Sequence, residues 1–142
     1  MSQFDQQPGY QPPPAYPTAY QAPGQVSGLT AEDRHLGTIA HLTPLVLMIV
    51  SGGVAGFIGS LVVYLYAKDR GPAARRYAAG ALNVQIGVSI AAAISWLLVI
   101  VLVGFITLPL VILFGIVVHV LGALKANKGE PFDPPLTPRF VS

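Results

Sequence analysis

The feature that most constrains this chain is its long uncharged run. Residues Val84–Leu124 contain no Asp, Glu, Lys or Arg. A straight helix over this run would be about 60 Å long, roughly twice the hydrocarbon thickness of a bilayer. The run therefore predicts two membrane-crossing helices joined by a turn. Because Gly104 and Pro109 interrupt the helical pattern, we expect that turn within Val103–Pro109.

The composition also indicates a membrane protein. Of the 142 residues, 53% are hydrophobic and only 10% are charged, and the mean hydropathy is +0.61. A soluble domain carries about 25% charged residues. The net charge of +2 is too small to indicate a nucleic-acid partner, and a chain without cysteine forms no disulfide. The partner that the composition predicts is the lipid bilayer.

The predicted fold class is an all-α integral membrane protein with four transmembrane helices, the first two of them short. The expected spans cover approximately residues 33–50, 54–67, 78–103 and 107–125, within a domain of residues 29–129. Thr30 is a predicted N-cap, Pro72 suits the first position of a helix, and Gly129 suits a helix end. Residues 130–142 contain four prolines and are expected to form an extended cytoplasmic tail.

Residues 1–28 are rich in Pro, Gln and Tyr and carry little aliphatic side chain. Such a composition predicts a disordered tail. The segment Pro13–Tyr16 fits a PPxY ligand pattern, and Pro14 with Pro17 fits PxxP. The tail is therefore interpreted as a solvated spacer, with a docking peptide for a partner as the alternative.

The basic residues predict the orientation. They flank the predicted helices at the N-terminal side, in the second loop and at the C-terminal side, while the loops at residues 51–53 and 104–106 carry none. The positive-inside rule then places both termini and the second loop in the cytoplasm. A re-entrant hairpin formed by the first two segments would give the same charge pattern. Two thin spans are favoured, because lipid does not tolerate exposed irregular backbone. The basic residues are Arg34, Lys68, Arg70, Arg75, Arg76, Lys125, Lys128 and Arg139.

Small residues recur along three of the predicted helices at spacings that allow close helix packing. They serve either the packing of a single four-helix bundle or a homo-oligomer interface, and the sequence does not separate the two. These residues are Gly52, Gly56, Ser60, Gly87, Ala91, Ser95, Gly115 and Gly122.

Four polar residues lie at predicted membrane depth: His41, Asn83, Gln85 and His119. Intramembrane polar groups are costly and tend to face the protein interior. Asn83 is expected to bond to another helix, and Gln85 to reach water or headgroups. The two histidines are interpreted as neutral residues of the bundle interior, with a proton or substrate path as the alternative.

No catalytic motif is present: the chain has no HExxH, no GxSxG, no phosphate-binding loop and no carboxylate pair in the predicted spans. We therefore expect a non-enzymatic protein with no catalytic residue, no cofactor and no metal site.

Three short segments carry a resemblance to a known family. They are His41–Pro44 in the first span, Ala81–Ile86 in the third, and Lys125–Glu130 followed by Pro135–Phe140 at the C-terminal end. In these the chain resembles a widespread bacterial family of small four-helix membrane proteins of unknown function, related to the Tic-twenty component of the chloroplast import translocon. The resemblance implies a multi-pass protein of the bacterial plasma (inner) membrane.

Two functions are considered on this basis. The first is a scaffold or accessory subunit of a membrane complex, linked to protein translocation by analogy and bound to a membrane-protein partner or to further copies of itself. The alternative is a small oligomeric channel or transporter lined by His41, Asn83 and His119.

Overall fold

A computed structural model describes residues 28–142, and these residues form four α-helices and no strand. The predicted all-helical fold is confirmed. The expected disorder of the N-terminal tail and its proline motifs lie outside the described residues. The helices are α1 (Ala31–Ser51), α2 (Gly56–Ala67), α3 (Pro72–Leu98), which a short 3-10 turn extends through Val99–Val101, and α4 (Gly104–Lys128).

Three helix ends follow the local sequence signals. The Thr30 hydroxyl accepts a hydrogen bond from the Asp33 amide at 3.0 Å, and the Asp33 carboxylate accepts one from the Thr30 amide, which makes a capping box. Pro72 occupies the first turn of α3, and Gly129 ends α4 in the left-handed conformation at φ 71°.

The predicted turn between the last two helices is wrong in its position. α3 and its 3-10 extension end at Leu102, which adopts φ 66°, and α4 already begins at Gly104. Position 104 needs a glycine because a Cβ there would overlap the backbone of Ser95 and Val99, and not because of its φ. Pro109 lies inside α4, where it removes a single backbone hydrogen bond.

The four helices pack as a bundle in which α1 and α3 form the centre. These two helices contact each other, and each also contacts α2 and α4, whereas α2 and α4 do not touch. The core near the start of α3 is built mainly from alanines, and the core near the middle of the bundle contains larger residues. The first core is Leu36, Ala40, Ala67, Ala74, Ala78 and Ala81; the second is Met48, Val84, Val88 and Val118.

Two helices are long and apolar enough to cross a membrane: Pro72–Val101, counted with the 3-10 turn, and α4. Only 28% and 22% of their most apolar windows are buried inside the protein, whereas the core helix of a soluble protein is mostly buried. Large apolar side chains such as Ile94 and Leu113 point outward and are about half exposed. An apolar surface of this extent has to be covered. The two helices therefore indicate a membrane protein.

Candidate functional site

A chain of buried polar side chains runs across the middle of the bundle. His41 on α1 and His119 on α4 approach each other through their Nδ1 atoms at 3.3 Å. The Nε2 atom of His119 lies 2.9 Å from Oε1 of Gln85 on α3. The three side chains are at most 1% exposed. We call His41, His119, Gln85 and Ser89 the polar chain.

The polar chain ends on the backbone of the turn between α1 and α2. The Gln85 amide nitrogen donates to the Gly53 carbonyl at 3.4 Å and to the Ser89 hydroxyl at 3.3 Å, and the Ser89 hydroxyl donates to the Val54 carbonyl at 3.4 Å. Carbonyl groups in a turn lack the partners that a helix supplies within itself and need others. The polar chain supplies such partners to this turn.

The hydrogen-bond partners assign the protons of the polar chain. The Gly53 carbonyl can only accept, so the amide nitrogen of Gln85 faces it and Oε1 faces His119. Nε2 of His119 must then carry the proton, and its Nδ1 accepts from Nδ1–H of His41. Each hydrogen bond of the polar chain thus has one donor and one acceptor.

Glycines allow the polar chain to fit between the helices. A Cβ on Gly122 of α4 would overlap the His41 ring, and a Cβ on Gly56 of α2 would overlap the Gln85 amide. The ring of Phe132, from the segment after α4, meets His41 edge-on with the ring centroids 5.7 Å apart. The polar side chains are held by close contact on several sides.

Asn83 is not part of the polar chain. It holds the C-terminal segment against the bundle. Its Oδ1 accepts from the amides of Phe140 and Val141 at 2.9 and 2.8 Å, and its Nδ2 donates to the Val141 carbonyl at 2.9 Å. We call these three hydrogen bonds the tail clamp. Near the clamp, Arg75 donates from Nε and Nη2 to a main-chain oxygen of Ser142 at 2.9 and 2.7 Å.

Charged side chains gather at the end of the bundle that contains the start of α3. Arg70 pairs with Glu32, and both Arg76 and Arg139 pair with Asp133. Lys125 pairs with Glu130, and this contact lowers the pKa of the Glu130 carboxyl. The opposite end contains the turns at 52–55 and 102–103, which carry no charged residue.

The structure corrects two expectations for the predicted polar residues. Asn83 binds the main chain of the C-terminal segment and not another helix, and Gln85 is fully buried and not in contact with solvent. His41 and His119 lie in the bundle interior, where they meet each other. Ser89 and Arg75 also make hydrogen bonds here, although neither was predicted as a site residue. Ser89 follows Gln85 by four residues, a spacing that places both on one helix face.

The predicted small residues separate into two groups. Gly56, Ser60, Ser95, Gly115 and Gly122 are buried in the bundle. Gly52 belongs to the α1–α2 turn with φ 66°, and Gly87 and Ala91 border an open groove. In the described part of the chain no three His, Cys, Asp or Glu residues are placed to hold a metal ion.

The chain matches the model of the MamF/MmsF family, described as the magnetosome magnetite crystal formation protein family, over residues 32–141. This range includes nearly all of α1, the other three helices, the polar chain and the tail clamp. No curated protein matches the chain. No solved structure matches it either.

The family match overturns the resemblance drawn from the short segments. The likeness to the Tic-twenty group is wrong, and the role in protein translocation that it implied has no remaining basis. The alternative of a channel or transporter is not supported. Because the match covers well over half of the chain, the protein belongs to the MamF/MmsF magnetosome magnetite crystal formation family.

Proposed function

We propose that this protein takes part in magnetite crystal formation as a non-enzymatic, multi-pass protein of the membrane that surrounds the crystal. The observation that carries the proposal is the family match over all four helices and the clamped C-terminal segment. The two apolar helices and their outward-facing side chains support a position within the membrane.

We further propose that all four helices cross the membrane, with both ends of the described chain on the charged side. Twenty residues of α3 separate Arg76 from Trp96, which is about 30 Å of helix and matches the hydrocarbon thickness of a bilayer. The Trp96 indole donates to the Gly52 carbonyl at 3.4 Å, so the tip of the α1–α2 turn lies at the depth of Trp96. Tryptophan at this depth is typical of a membrane interface. This contact favours two spans over a shallow re-entrant hairpin.

The distribution of charge indicates how the protein acts on the crystal. Carboxylates and imidazoles are common protein ligands for iron ions. The turns at 52–55 and 102–103 contain neither, and His41 and His119 are buried. We therefore propose that the uncharged end faces the crystal compartment without binding mineral through such groups. The protein then acts through the membrane and through a second copy or another membrane protein packed against it.

Expression in a magnetite-forming bacterium that lacks its own family members tests the proposed function. We expect the chain to shift crystal dimensions, measured by electron microscopy, toward those of the parent strain. Glu32→Gln is expected to retain this effect, because Glu32 is exposed at the charged end and its ion pair with Arg70 lies at the surface, where such pairs contribute little to stability. Unchanged crystals despite normal protein levels in the membrane would contradict the proposed role. Loss of the effect in Glu32→Gln would contradict the indirect mechanism.

Labelling of single cysteines tests the topology in a background without native cysteine. Val54→Cys and Val103→Cys are suitable positions in the two uncharged turns, since both side chains are about half exposed. Gly52 and Gly104 are unsuitable because of their φ and their close contacts, respectively. We expect an impermeant thiol reagent applied to isolated, intact crystal-containing vesicles to label Lys68→Cys and to spare positions 54 and 103, which should be labelled once the vesicles are made permeable. Labelling of 103 but not 54 would indicate a re-entrant α1–α2 hairpin.

A further inference from the structure

A cavity of about 790 Å³ with charged residues in its lining lies at the charged end of the bundle. Its walls come from the α2–α3 loop, the first turns of α3 and the C-terminal segment. Four basic side chains line it, together with two acidic ones. These residues are Lys68, Arg75, Arg76, Arg139, Asp69 and Asp133. Asp133 is shared by Arg76 and Arg139 at 3.4 Å each, and Lys68 makes no ion pair within residues 28–142. The cavity therefore carries an excess of positive charge.

An apolar groove of about 350 Å³ runs between α3 and α4 on the outside of the bundle. Gly87 and Ala91 form its α3 side, and Leu110 and Phe114 form its α4 side. A Cβ added to Gly87 would meet no atom within 4 Å, so the groove is open at this position. Its depth comes from the missing side chain at Gly87.

The cavity and the groove adjoin each other. Thr137 lines both, and the neighbouring residues Asn83 and Val84 line the cavity and the groove, respectively. Fifteen residues of α3 separate Arg76 from Ala91, which corresponds to about 22 Å along the helix. The basic cavity at the charged end thus shares part of its wall with an apolar groove that follows α3 and α4 toward the other end of the bundle.

We propose that the cavity and the groove together form a binding site for one anionic phospholipid. The basic side chains bind its phosphate, and the groove takes one acyl chain. Guanidinium groups suit phosphate oxygens because they donate several hydrogen bonds in a fixed geometry. Basic pockets between transmembrane helices on the cytoplasmic side are a recurrent form of lipid headgroup site.

Charge and shape favour this occupant over others. A free phosphate ion would use the basic cavity and leave the groove empty. A zwitterionic lipid would bring a cation into a cavity that already has excess positive charge. Only an amphiphile with an anionic head and an apolar chain matches both parts of the site.

Native mass spectrometry of the purified full chain tests the site. The protein is incubated with equimolar phosphatidylglycerol and phosphatidylcholine of the same acyl chains, and the bound lipid is measured after detergent removal in the gas phase. We expect one phosphatidylglycerol to be retained in preference to phosphatidylcholine. We expect Lys68→Gln with Arg76→Gln to weaken this binding about tenfold, since basic side chains near the headgroup attract anionic lipid.

Matched variants separate the site from general charge and hydrophobicity. Arg34→Gln with Lys128→Gln removes the same charge from the same end but outside the cavity, and is expected to leave binding unchanged. Gly87→Leu fills the groove and should weaken lipid binding. Ala93→Leu places the same leucine side chain at an exposed position of α3 outside the groove, and should not weaken lipid binding.

Three results would overturn the proposal. The first is equal retention of the two lipids. The second is equal binding by the cavity and control variants when circular dichroism shows all of them folded. The third is binding of glycerol phosphate or inorganic phosphate as tight as that of phosphatidylglycerol with no effect of Gly87→Leu, which would indicate an anion pocket without an acyl-chain groove.

Discussion

Gly122→Ala is expected to lower the stability of the bundle by about 1–3 kcal/mol, the usual range for overpacking a closely packed interior. The new methyl group would overlap the His41 ring, which is buried between α4, His119 and Phe132 and has little space to move. Displacement of the ring would also break its hydrogen bond with His119. The measurement is reversible unfolding in detergent micelles, followed by far-ultraviolet circular dichroism.

Gly80→Ala is the matched control for this substitution. Gly80 also lies inside a helix, but a Cβ there would meet no atom within 4 Å. Alanine at that position should stabilise α3 by about 0.5–1 kcal/mol, because it has the better helix propensity. Removal of the ring by His41→Ala should relieve the overlap at Gly122, so the double variant should lose less than the sum of the two single losses. If the losses of stability in Gly122→Ala and His41→Ala simply add in the double variant, overlap with the His41 ring is not the cause of the loss in Gly122→Ala.

Asn83→Ala is expected to release the C-terminal segment while the helices stay folded. The substitution removes three hydrogen bonds and leaves the amides of Phe140 and Val141 without their acceptor. A hydrogen bond contributes about 0.5–1.5 kcal/mol to stability, and 1.4 kcal/mol is a factor of ten in an equilibrium. We therefore expect hydrogen exchange at these two amides to accelerate about 10- to 100-fold.

Asn127→Ala provides the comparison for the tail clamp. Asn127 makes no side-chain hydrogen bond within residues 28–142 and is exposed near the end of α4. Its removal should leave the exchange of Phe140 and Val141 unchanged. Faster exchange throughout α3 and α4 in Asn83→Ala would instead mean that Asn83 stabilises the whole bundle. Cleavage by trypsin after Arg139 gives an independent measurement, and it should accelerate only in Asn83→Ala.

The features that could be predicted from the sequence are those that depend on neighbouring residues. The capping box at Thr30, Pro72 in the first turn of α3 and the left-handed Gly129 each arise from residues within one helical turn. The apolar character of α3 and α4 is likewise a property of composition, because the bilayer selects for hydrophobic length.

The position of the last turn could not be predicted in this way. Gly104 and Pro109 interrupt the helical pattern, and this predicts a turn within Val103–Pro109. The left-handed residue is Leu102, while Gly104 lies in α4 with its Cα against the backbone of Ser95. Some glycines are needed because a Cβ would overlap a neighbouring atom, and others because the backbone has a positive φ. The sequence does not distinguish the two kinds.

The hydrogen-bond partners of Asn83 and Gln85 could not be predicted from the sequence either. The helical period places Asn83 and Gln85 on different faces of α3, as expected from a spacing of two. It does not say which face meets α4 and which meets the C-terminal segment. Those partners lie 34 and about 57 residues away in the chain.

The sequence alone determined that this chain is a membrane-type helical protein with no charged residue in the run Val84–Leu124, because hydrophobicity and helix ends are local properties. Only the tertiary structure decided that His41, His119 and Gln85 meet in one polar chain, that Asn83 clamps the C-terminal segment, and that a basic cavity adjoins an apolar groove. The physical reason is that these arrangements depend on how four helices rotate and cross. Contacts between residues far apart in the chain fix that packing, and the helical period of each segment leaves it open.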